Sequence, residues 1–431
     1  MTGRPAYRRV LRGGKFVVLG NAAAAGLGLL LLFLLARTLP PEGLAVVVAI
    51  VAVIDGGQMF LDATVNTGMI NLASRDGKEG APDASLLRGG FWTKLILGIA
   101  FAATIALASG ALSNALVGDG SIRWLIVAAG CAGAIAGLHG FVLAVLTARE
   151  EFVTLAAISP LKNALRIAAV APFLLFDAPS QSAAALAICA TTVPLLVAGA
   201  LTIPWRFLSE GRALRDSMWR LIGVNGWLLL SALAMLGGRL DVWLVGWLSS
   251  ARDAGLFALA AQLCVGVGVV TQAMVTAFLP TVSRLRTSDE FTHFLRRAAV
   301  VGGPLLLLPI LAWPLAAPVL GLVFGPEYAQ AAGIFVILFL ASVMSLIGAP
   351  LMLTLLSIGE ARIVAVASVF QLALRIALAT LFVPVLGGTG MAGADVLSRL
   401  IAMALIGGVI LSALRRPRAA NAGILTEPGD A

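Results

Sequence analysis

The chain has 431 residues, of which 60% are hydrophobic and 12% are charged, and its mean hydropathy is +1.01. Charged residues make up about a quarter of an average soluble domain, so this composition excludes a water-soluble globule and indicates a polytopic membrane protein. The formal charge of +9 would suggest nucleic-acid binding in a soluble domain. Here the basic residues lie in short segments between apolar runs, where they report membrane topology, so we expect no nucleic-acid partner.

Twelve windows of the sequence are long and apolar enough to cross a bilayer as helices. A basic segment at 204–220 separates six of them from the other six. We therefore predict an all-α protein with about 12 transmembrane helices in two six-helix lobes. The predicted spans lie near 16–36, 44–67, 91–112, 123–147, 153–176, 182–203, 221–248, 256–279, 298–324, 331–357, 363–386 and 391–413.

The predicted boundaries give five segments. Residues 1–15 form a basic N-terminal segment, 16–203 the first lobe, 204–220 a linker, 221–413 the second lobe and 414–431 a tail.

The distribution of Lys and Arg predicts which side of the membrane each segment faces. If the N-terminus is cytoplasmic, the segments on that side hold 21 basic residues, and the opposite loops hold only Arg37, Arg123 and Arg252. Basic residues are retained on the cytoplasmic side of bacterial membrane proteins. We therefore expect both termini, the linker and the segment 280–297 to be cytoplasmic.

Two halves of the chain carry the same short sequence around a deep arginine. The residues ALRIA at 164–168 recur unchanged at 373–377, and this repeat predicts that the lobes are parallel pseudo-repeats. A cation at the centre of a membrane helix costs roughly 2.5 to 3.5 kcal/mol even on mild scales, so it usually faces a polar interior and has a function. Five basic residues lie this deep in the predicted spans: Lys162, Arg166, Arg239, Arg375 and Arg399.

Asp55 is the best placed of three candidate ion-coupling residues, of which the others are Asp241 and Asp395. It lies near mid-depth in the second span and shares a helix face with Asp62, seven residues later. Its position suits a proton or sodium site; the alternative is a structural ion pair with an arginine on a neighbouring helix.

The second half places acids and arginines close together in sequence. Asp395 precedes Arg399 by four residues, which is the favourable order for an ion pair within a helix. Arg239 and Asp241 are two residues apart and point to nearly opposite faces, so each needs another partner.

The sequence carries no pattern that indicates enzymatic chemistry. Neither His139 nor His293 has a cysteine or carboxylate at metal-ligand or catalytic-triad spacing, and no phosphate-binding loop is present. Cys131, Cys189 and Cys264 lie in apolar runs, as small core residues do. We therefore expect a protein that is not an enzyme and that needs no cofactor or metal.

Four stretches of the chain form a recognisable set. Residues 35–43 (LARTLPPEG) follow the first span, and 55–57 (DGG) lie in the second. Residues 240–260 contain LDVWLVG and AGLFALA, and 324–332 (FGPEYAQAA) form the turn after the ninth span. In these stretches the chain resembles the multidrug/oligosaccharidyl-lipid/polysaccharide exporter superfamily, specifically its polysaccharide (O-antigen type) flippases. Gly56 departs from the family's Asp-Leu-Gly pattern.

The resemblance implies two lobes around a central cavity that opens alternately to either side of the bacterial inner membrane. It also implies a substrate, an oligosaccharide on polyprenyl diphosphate, with membrane lipids as partners and polysaccharide polymerase and chain-length machinery as candidate partners. A diphosphate entering the membrane needs fixed cations, and arginine offers phosphate two parallel donors. The candidate headgroup ligands are therefore Lys162, Arg166, Arg239, Arg375 and Arg399.

Two other transport functions occur in the same superfamily. An ion-coupled multidrug exporter would favour a cavity rich in carboxylates and aromatic rings, whereas mid-span cations here slightly outnumber acids. A lipid-linked peptidoglycan precursor flippase would generally carry two further spans. A membrane-embedded transferase, from a different class, would need a large catalytic loop outside, and the longest predicted outside loop has about ten residues.

Overall fold

The computed structural model describes residues 4–76, 84–118, 120–149, 151–175, 180–208, 237, 240–282, 288–357 and 361–415. Every longer regular element in these ranges is an α-helix, and three short 3-10 helices occur at Trp205–Leu208, Gly303–Leu306 and Pro326–Ala331. The α-helices are α1 (Arg4–Thr38), α2 (Pro41–Asp76), α3 (Ala84–Val117), α4 (Arg123–Ala148), α5 (Phe152–Ile158), α6 (Leu161–Leu175), α7 (Gln181–Ala190), α8 (Thr192–Ala200), α9 (Asp241–Leu248), α10 (Ala251–Val282), α11 (Ser288–Gly302), α12 (Leu307–Phe324), α13 (Ala332–Ser357) and α14 (Ala361–Arg415).

Ten helical segments of the described chain are long and apolar enough to cross a membrane. Nine of them each coincide with one predicted span, and the tenth, Arg362–Ile410, contains both the eleventh and the twelfth. The seventh predicted span, 221–248, and the linker, 204–220, lie mostly outside the described residues. The prediction of an all-α polytopic protein is confirmed.

The eleventh and twelfth spans fold back on each other within α14. Gly387 has φ +56° and ψ −137°, and a β-carbon there would lie 2.6 Å from Asp253 Oδ2, so both the conformation and the space require glycine. Arg375 and Asp395 would lie about 30 Å apart along an unbroken helix. Their charged groups are 3.4 Å apart, so the chain must reverse between them.

Pro160 divides the predicted fifth span into two helices. α5 ends at Ile158 and α6 begins at Leu161, because proline lacks the N–H needed to continue the hydrogen bonds of α5. The Pro160 carbonyl then accepts from Ala164 N–H in the first turn of α6. The break therefore fixes the start of the helix that carries Lys162 and Arg166.

In the first lobe, α4 packs closely against α2 through its glycines. A β-carbon on Gly133 would lie 3.3 Å from the Val53 carbonyl oxygen, and one on Gly137 would overlap Leu61. The two glycines are four residues apart, the spacing that lets helix backbones approach closely in a membrane. Cys131, two residues before Gly133, points away from this contact and is exposed, so its predicted place in the core was wrong.

Part of the segment predicted as a loop before the ninth span is helical. α11 begins at Ser288 and buries Phe291 against Val282 and Leu353, while Arg296 and Arg297 remain exposed. The helix is amphipathic, with basic residues on its free face, as expected for a helix that enters the membrane interface.

The first lobe (α1 to α8) and the second lobe (α9 to α14) meet at one end of the molecule, which we call the closed end. It contains the turns after α1, α3, α9 and α12. A β-carbon on Gly246 of α9 would lie 2.8 Å from Leu116 Cδ1 of α3, and Gly255 of α10 lies against the Pro41 carbonyl with no room for a side chain. One hydrophobic core continues across this boundary from α2 to α10.

Candidate functional site

Four polar side chains of α2 and α6 form what we call the N-lobe cluster: Asp55, Gln58, Lys162 and Arg166. Lys162 Nζ lies 2.8 Å and Arg166 Nη2 2.9 Å from the same atom, Asp55 Oδ1. Lys162 also donates to Gln58 Oε1 at 3.1 Å. The spacings explain the convergence, because residues three or four apart on a helix share one face.

The N-lobe cluster is buried on one side and open on the other. The Arg166 side chain is 5% exposed, whereas Asp55 and Lys162 are 24% and 27% exposed. Arg166 Nε is buried and has no hydrogen-bond partner among the described residues. Buried charges of this kind are tolerated when they are paired, and Asp55 supplies the pairing.

A second set of side chains, the C-lobe cluster, contains Asp241, Ser345, Arg375, Asp395 and Arg399. Arg375 Nη1 lies 3.3 Å from Asp241 Oδ2 and 3.4 Å from Asp395 Oδ1. Arg399 binds Asp395 with two groups, Nε to Oδ1 at 3.0 Å and Nη2 to Oδ2 at 2.9 Å, and donates to Ser345 Oγ. The intrahelical pair predicted for Asp395 and Arg399 is confirmed.

The arginines of the repeat, Arg166 and Arg375, occupy equivalent positions in the two halves but pair with different counter-ions. A shift of 209 positions carries Arg166 onto Arg375, and the same shift carries Asp55 onto Cys264. Arg375 therefore takes its carboxylates from α9 and α14 instead of from the helix equivalent to α2. Both arginines are largely buried, and Arg375 Nε, like Arg166 Nε, has no partner among the described residues.

Sequence reasoning did not pair Asp62 with Lys94. Lys94 Nζ is fully buried, lies 2.6 Å from Asp62 Oδ1 and donates to the Gly137 carbonyl at 3.0 Å. Asn66 Nδ2 donates to the same Asp62 oxygen and to the Gly140 carbonyl. The sequence signal for this pair was that Asp62 and Lys94 lie in adjacent predicted spans, at similar depth towards the same side of the membrane.

Other predicted site residues have mixed outcomes. The structural ion pair weighed as the alternative role of Asp55 is present, with Arg166 and also with Lys162. Arg239 lies outside the described residues. The ion-coupling role of Asp55, Asp241 and Asp395 and the headgroup role of the cations stay predictions. Within the described chain, no group of three His, Cys, Asp or Glu residues is placed to hold a metal ion.

Residues 34–333 match a family described as polysaccharide biosynthesis protein. The chain belongs to this family. No curated protein matches it. The match begins near the end of α1 and extends to the start of α13, so it includes both lobes and the closed end.

Solved transporter structures share the fold of this family member. An inward-facing multidrug resistance MATE family transporter of the MOP superfamily has a TM-score of 0.74 at 16% identity, covering 92% of this chain and 96% of its own. The lipid II flippase MurJ, in an inward closed conformation, has a TM-score of 0.73 at 13% identity, with 93% and 88% covered. A MOP superfamily transporter from Pyrococcus furiosus has 0.62 at 16%, with 95% and 96% covered. These likenesses establish the two-lobed fold of a membrane transporter.

Proposed function

We propose that this protein flips oligosaccharide repeat units carried on polyprenyl diphosphate from the cytoplasmic to the periplasmic leaflet of the bacterial inner membrane. The product would supply O-antigen, capsule or exopolysaccharide synthesis. Membership of the polysaccharide biosynthesis family supports the pathway, and the transporter fold supports movement across a membrane.

The observation that carries the proposal is the convergence of two cations on one carboxylate oxygen. Lys162 and Arg166 both lie within 3 Å of Asp55 Oδ1, and Lys162 is partly accessible. A phosphate oxygen has the charge and acceptor geometry to take the place of that carboxylate oxygen. The diphosphate headgroup would therefore enter the N-lobe cluster by exchange, leaving Asp55 free while the headgroup is bound.

The C-lobe cluster offers a second set of cations for the other half of the transport cycle. Arg375 and Arg399 are held by Asp241 and Asp395, which headgroup oxygens would replace in the same way. Arg239 stays a candidate ligand by its place in the sequence. With cations in both lobes, the headgroup can keep a counter-charge as the lobes rearrange around it.

The rest of the substrate moves according to its polarity. The charged headgroup and the sugar hydroxyls are costly to place in hydrocarbon, so they cross in the cavity between the lobes. The polyprenyl tail is apolar and stays in the bilayer. Asp55, Asp241 and Asp395 are the residues that would couple this cycle to an ion gradient, since each carboxylate changes its partner when the headgroup binds.

The multidrug exporter remains the second candidate on fold alone. Against it, the two clusters contain four described cations, Lys162, Arg166, Arg375 and Arg399, and three carboxylates. A site for cationic drugs needs an excess of accessible negative charge, which these clusters lack.

The proposal is tested by complementing a strain that lacks the gene. We expect export to decrease in the order wild type, Arg166→Lys and Arg166→Ala, because lysine keeps the charge but loses the two-pronged donor. Arg375→Ala should also reduce export. The measurements are surface polysaccharide and accumulated lipid-linked repeat at matched membrane expression. Arg123→Ala is the control, since this arginine lies outside both clusters and donates to Ser109 of its own lobe.

Full export by Arg166→Ala and Arg375→Ala, singly and combined, would show that these arginines are structural. Unchanged surface polysaccharide in the deletion strain, with increased sensitivity to cationic drugs, would favour the exporter.

A further inference from the structure

Two sequence motifs that the proposed site does not use meet at the closed end. The first includes Arg37, in the last turn of α1, and Leu39, between α1 and α2, and the second runs from the end of α12 to Tyr328. They are 285 or more residues apart in sequence and belong to different lobes. Contacts between them therefore join the lobes at the closed end.

Arg37 binds the exposed end of a helix in the other lobe. Its Nε donates to the Val323 carbonyl at 2.7 Å, and its Nη2 donates to the Leu322 carbonyl at 2.8 Å. These carbonyls lie in the last turn of α12, where no further helical N–H is present to donate to them. Gly325, with φ +120°, ends α12 and leaves them available. A cation at a helix C-terminus also interacts favourably with the helix dipole.

Tyr328 makes the reciprocal contact from the second lobe to the first. Gly325 and Pro326 start a 3-10 helix that carries the Tyr328 hydroxyl to the Leu39 carbonyl, at 2.9 Å. The tyrosine is 2% exposed, so this hydrogen bond is shielded from water and would leave a buried polar group unpaired if one partner were removed. Phe33 and Phe324 pack edge to face beside it, with ring centroids 6.3 Å apart.

The comparison structures differ in how well they fit this arrangement. The inward-facing MATE family transporter has a TM-score of 0.74 with this chain, and an outward-facing one has 0.60 at 17% identity. The two lobes of this chain, which are joined at the closed end, are therefore arranged more like those of the inward-facing transporter than those of the outward-facing one. Separation of the lobes at this end would break every contact of Arg37 and Tyr328 described above.

We propose that Arg37 and Tyr328 form a clasp that locks the lobes together at the closed end and must release before the cavity can open there. Each residue is a positioning residue, since it acts on the balance between two states and touches no substrate. The clasp goes beyond the proposed substrate and does not depend on it, because any solute moved by alternating access would require the same release.

The experiment measures the lobe separation directly in purified protein. The native Cys131, Cys189 and Cys264 are replaced by serine, and spin labels are placed on Gly120→Cys and Gln330→Cys, which are exposed at the closed end, one in each lobe. A β-carbon at position 120 meets no atom within 4 Å. The distance distribution is recorded by pulsed electron paramagnetic resonance in lipid nanodiscs without substrate.

We expect one short distance in the parent and an added longer distance in the variants. Each lost hydrogen bond is worth about 1 kcal/mol, so the open-to-closed ratio should rise about 30-fold for Arg37→Ala, which loses two bonds, and more than about 100-fold for Arg37→Ala combined with Tyr328→Phe, which loses three. Arg123→Ala should leave the distribution unchanged, because its partner Ser109 lies in the same lobe. Tyr328→Phe alone keeps the ring packing and tests the hydroxyl if the Arg37 variant misfolds.

A distribution identical to the parent in both Tyr328→Phe and the double variant would overturn the clasp. So would an equal change in Arg123→Ala. Because substrate is absent, either result leaves the flippase proposal standing, and failed complementation by the Arg166 variants would equally leave the clasp standing.

Discussion

At the scale of single residues, Asp55 holds the position that we assign to a phosphate oxygen. Its Oδ1 lies 2.8 Å from Lys162 Nζ and 2.9 Å from Arg166 Nη2, so it offsets one of the two positive charges of the site when no substrate is bound. In the proposed exchange an anionic ligand would displace Asp55, so this residue would compete with the ligand as well as being a candidate coupling residue. The role of Asp55 as a competitor is tested by the substitution Asp55→Asn.

Replacing Asp55 with Asn should increase binding of a small anion to the N-lobe cluster. Asparagine keeps the size of the side chain but leaves both cations without their carboxylate, so pyrophosphate should raise the melting temperature of Asp55→Asn more than that of the parent. Asp289→Asn, an exposed acid on α11, is the control and should behave as the parent does. Equal shifts in all three proteins would contradict the exchange of Asp55 for phosphate.

At the scale of helices, an ion pair between a buried lysine and a partly exposed aspartate holds α2 against α3 and α4. Lys94 of α3 is fully buried and contacts Asp62 of α2 and the Gly137 carbonyl of α4. Gly140 of α4 lies against Asp62, with no room for a β-carbon. α1 makes a comparable link, because its Ala24 carbonyl accepts from Asn163, beside Lys162, at 2.7 Å. These polar contacts fix how the helices around the N-lobe cluster are arranged.

Substitutions of Asp62 and of Lys94 should differ in how much they lower the free energy of unfolding. Asp62→Asn leaves a fully buried ammonium without a counter-charge and should lower the free energy of unfolding by about 3 kcal/mol. Lys94→Met should lower it by only about 1 kcal/mol, because Asp62 is 30% exposed and can be hydrated.

Thermal unfolding in one detergent gives the ranking, and the double variant should be more stable than Asp62→Asn alone. Arg149→Met is the matched control, since its pair with Glu151 is partly exposed and contributes little. The prediction fails if Lys94→Met is the less stable of the two single variants.

At the scale of the whole molecule, the lobes join at the closed end. The side of the membrane that this end faces is predicted from the distribution of Lys and Arg. The turns of the closed end coincide with the loops predicted to be outside, which hold only three basic residues. The basic segments at 204–220 and 280–297 are predicted to lie on the opposite side. An inward-facing arrangement follows if this orientation is correct.

Single cysteines test the orientation in intact cells. In the cysteine-free protein, Ser217→Cys and Thr287→Cys should resist a membrane-impermeant thiol reagent and react only after the membrane is permeabilised. Gly120→Cys, at the closed end, should react without permeabilisation. Labelling of either basic segment in intact cells, at confirmed expression, would reverse the predicted topology and place the clasp on the cytoplasmic side.

By itself, the amino-acid sequence determined the features that depend on local composition. Apolar run length gave the spans, because a bilayer requires about 20 apolar residues for each helix. Pro160 and the glycines of α4 marked a helix break and a close contact through the local chemistry of proline and glycine. The four-residue spacing of Asp395 and Arg399 predicted their pair, since both residues lie on one helix.

Only the tertiary structure decided the contacts between distant helices. Asp55 could meet its cations only after α6 packed near α2, 111 residues along the chain for Arg166, and no local rule selects that partner. The repeat placed Arg375 correctly on the eleventh span, but its carboxylates come from helices that the repeat does not indicate. Arg37 and Tyr328 looked like family motifs of unassigned purpose until the lobes brought each to a backbone carbonyl of the other lobe. A carbonyl oxygen has no side-chain identity, so sequence reasoning had no means of recognising it as a partner.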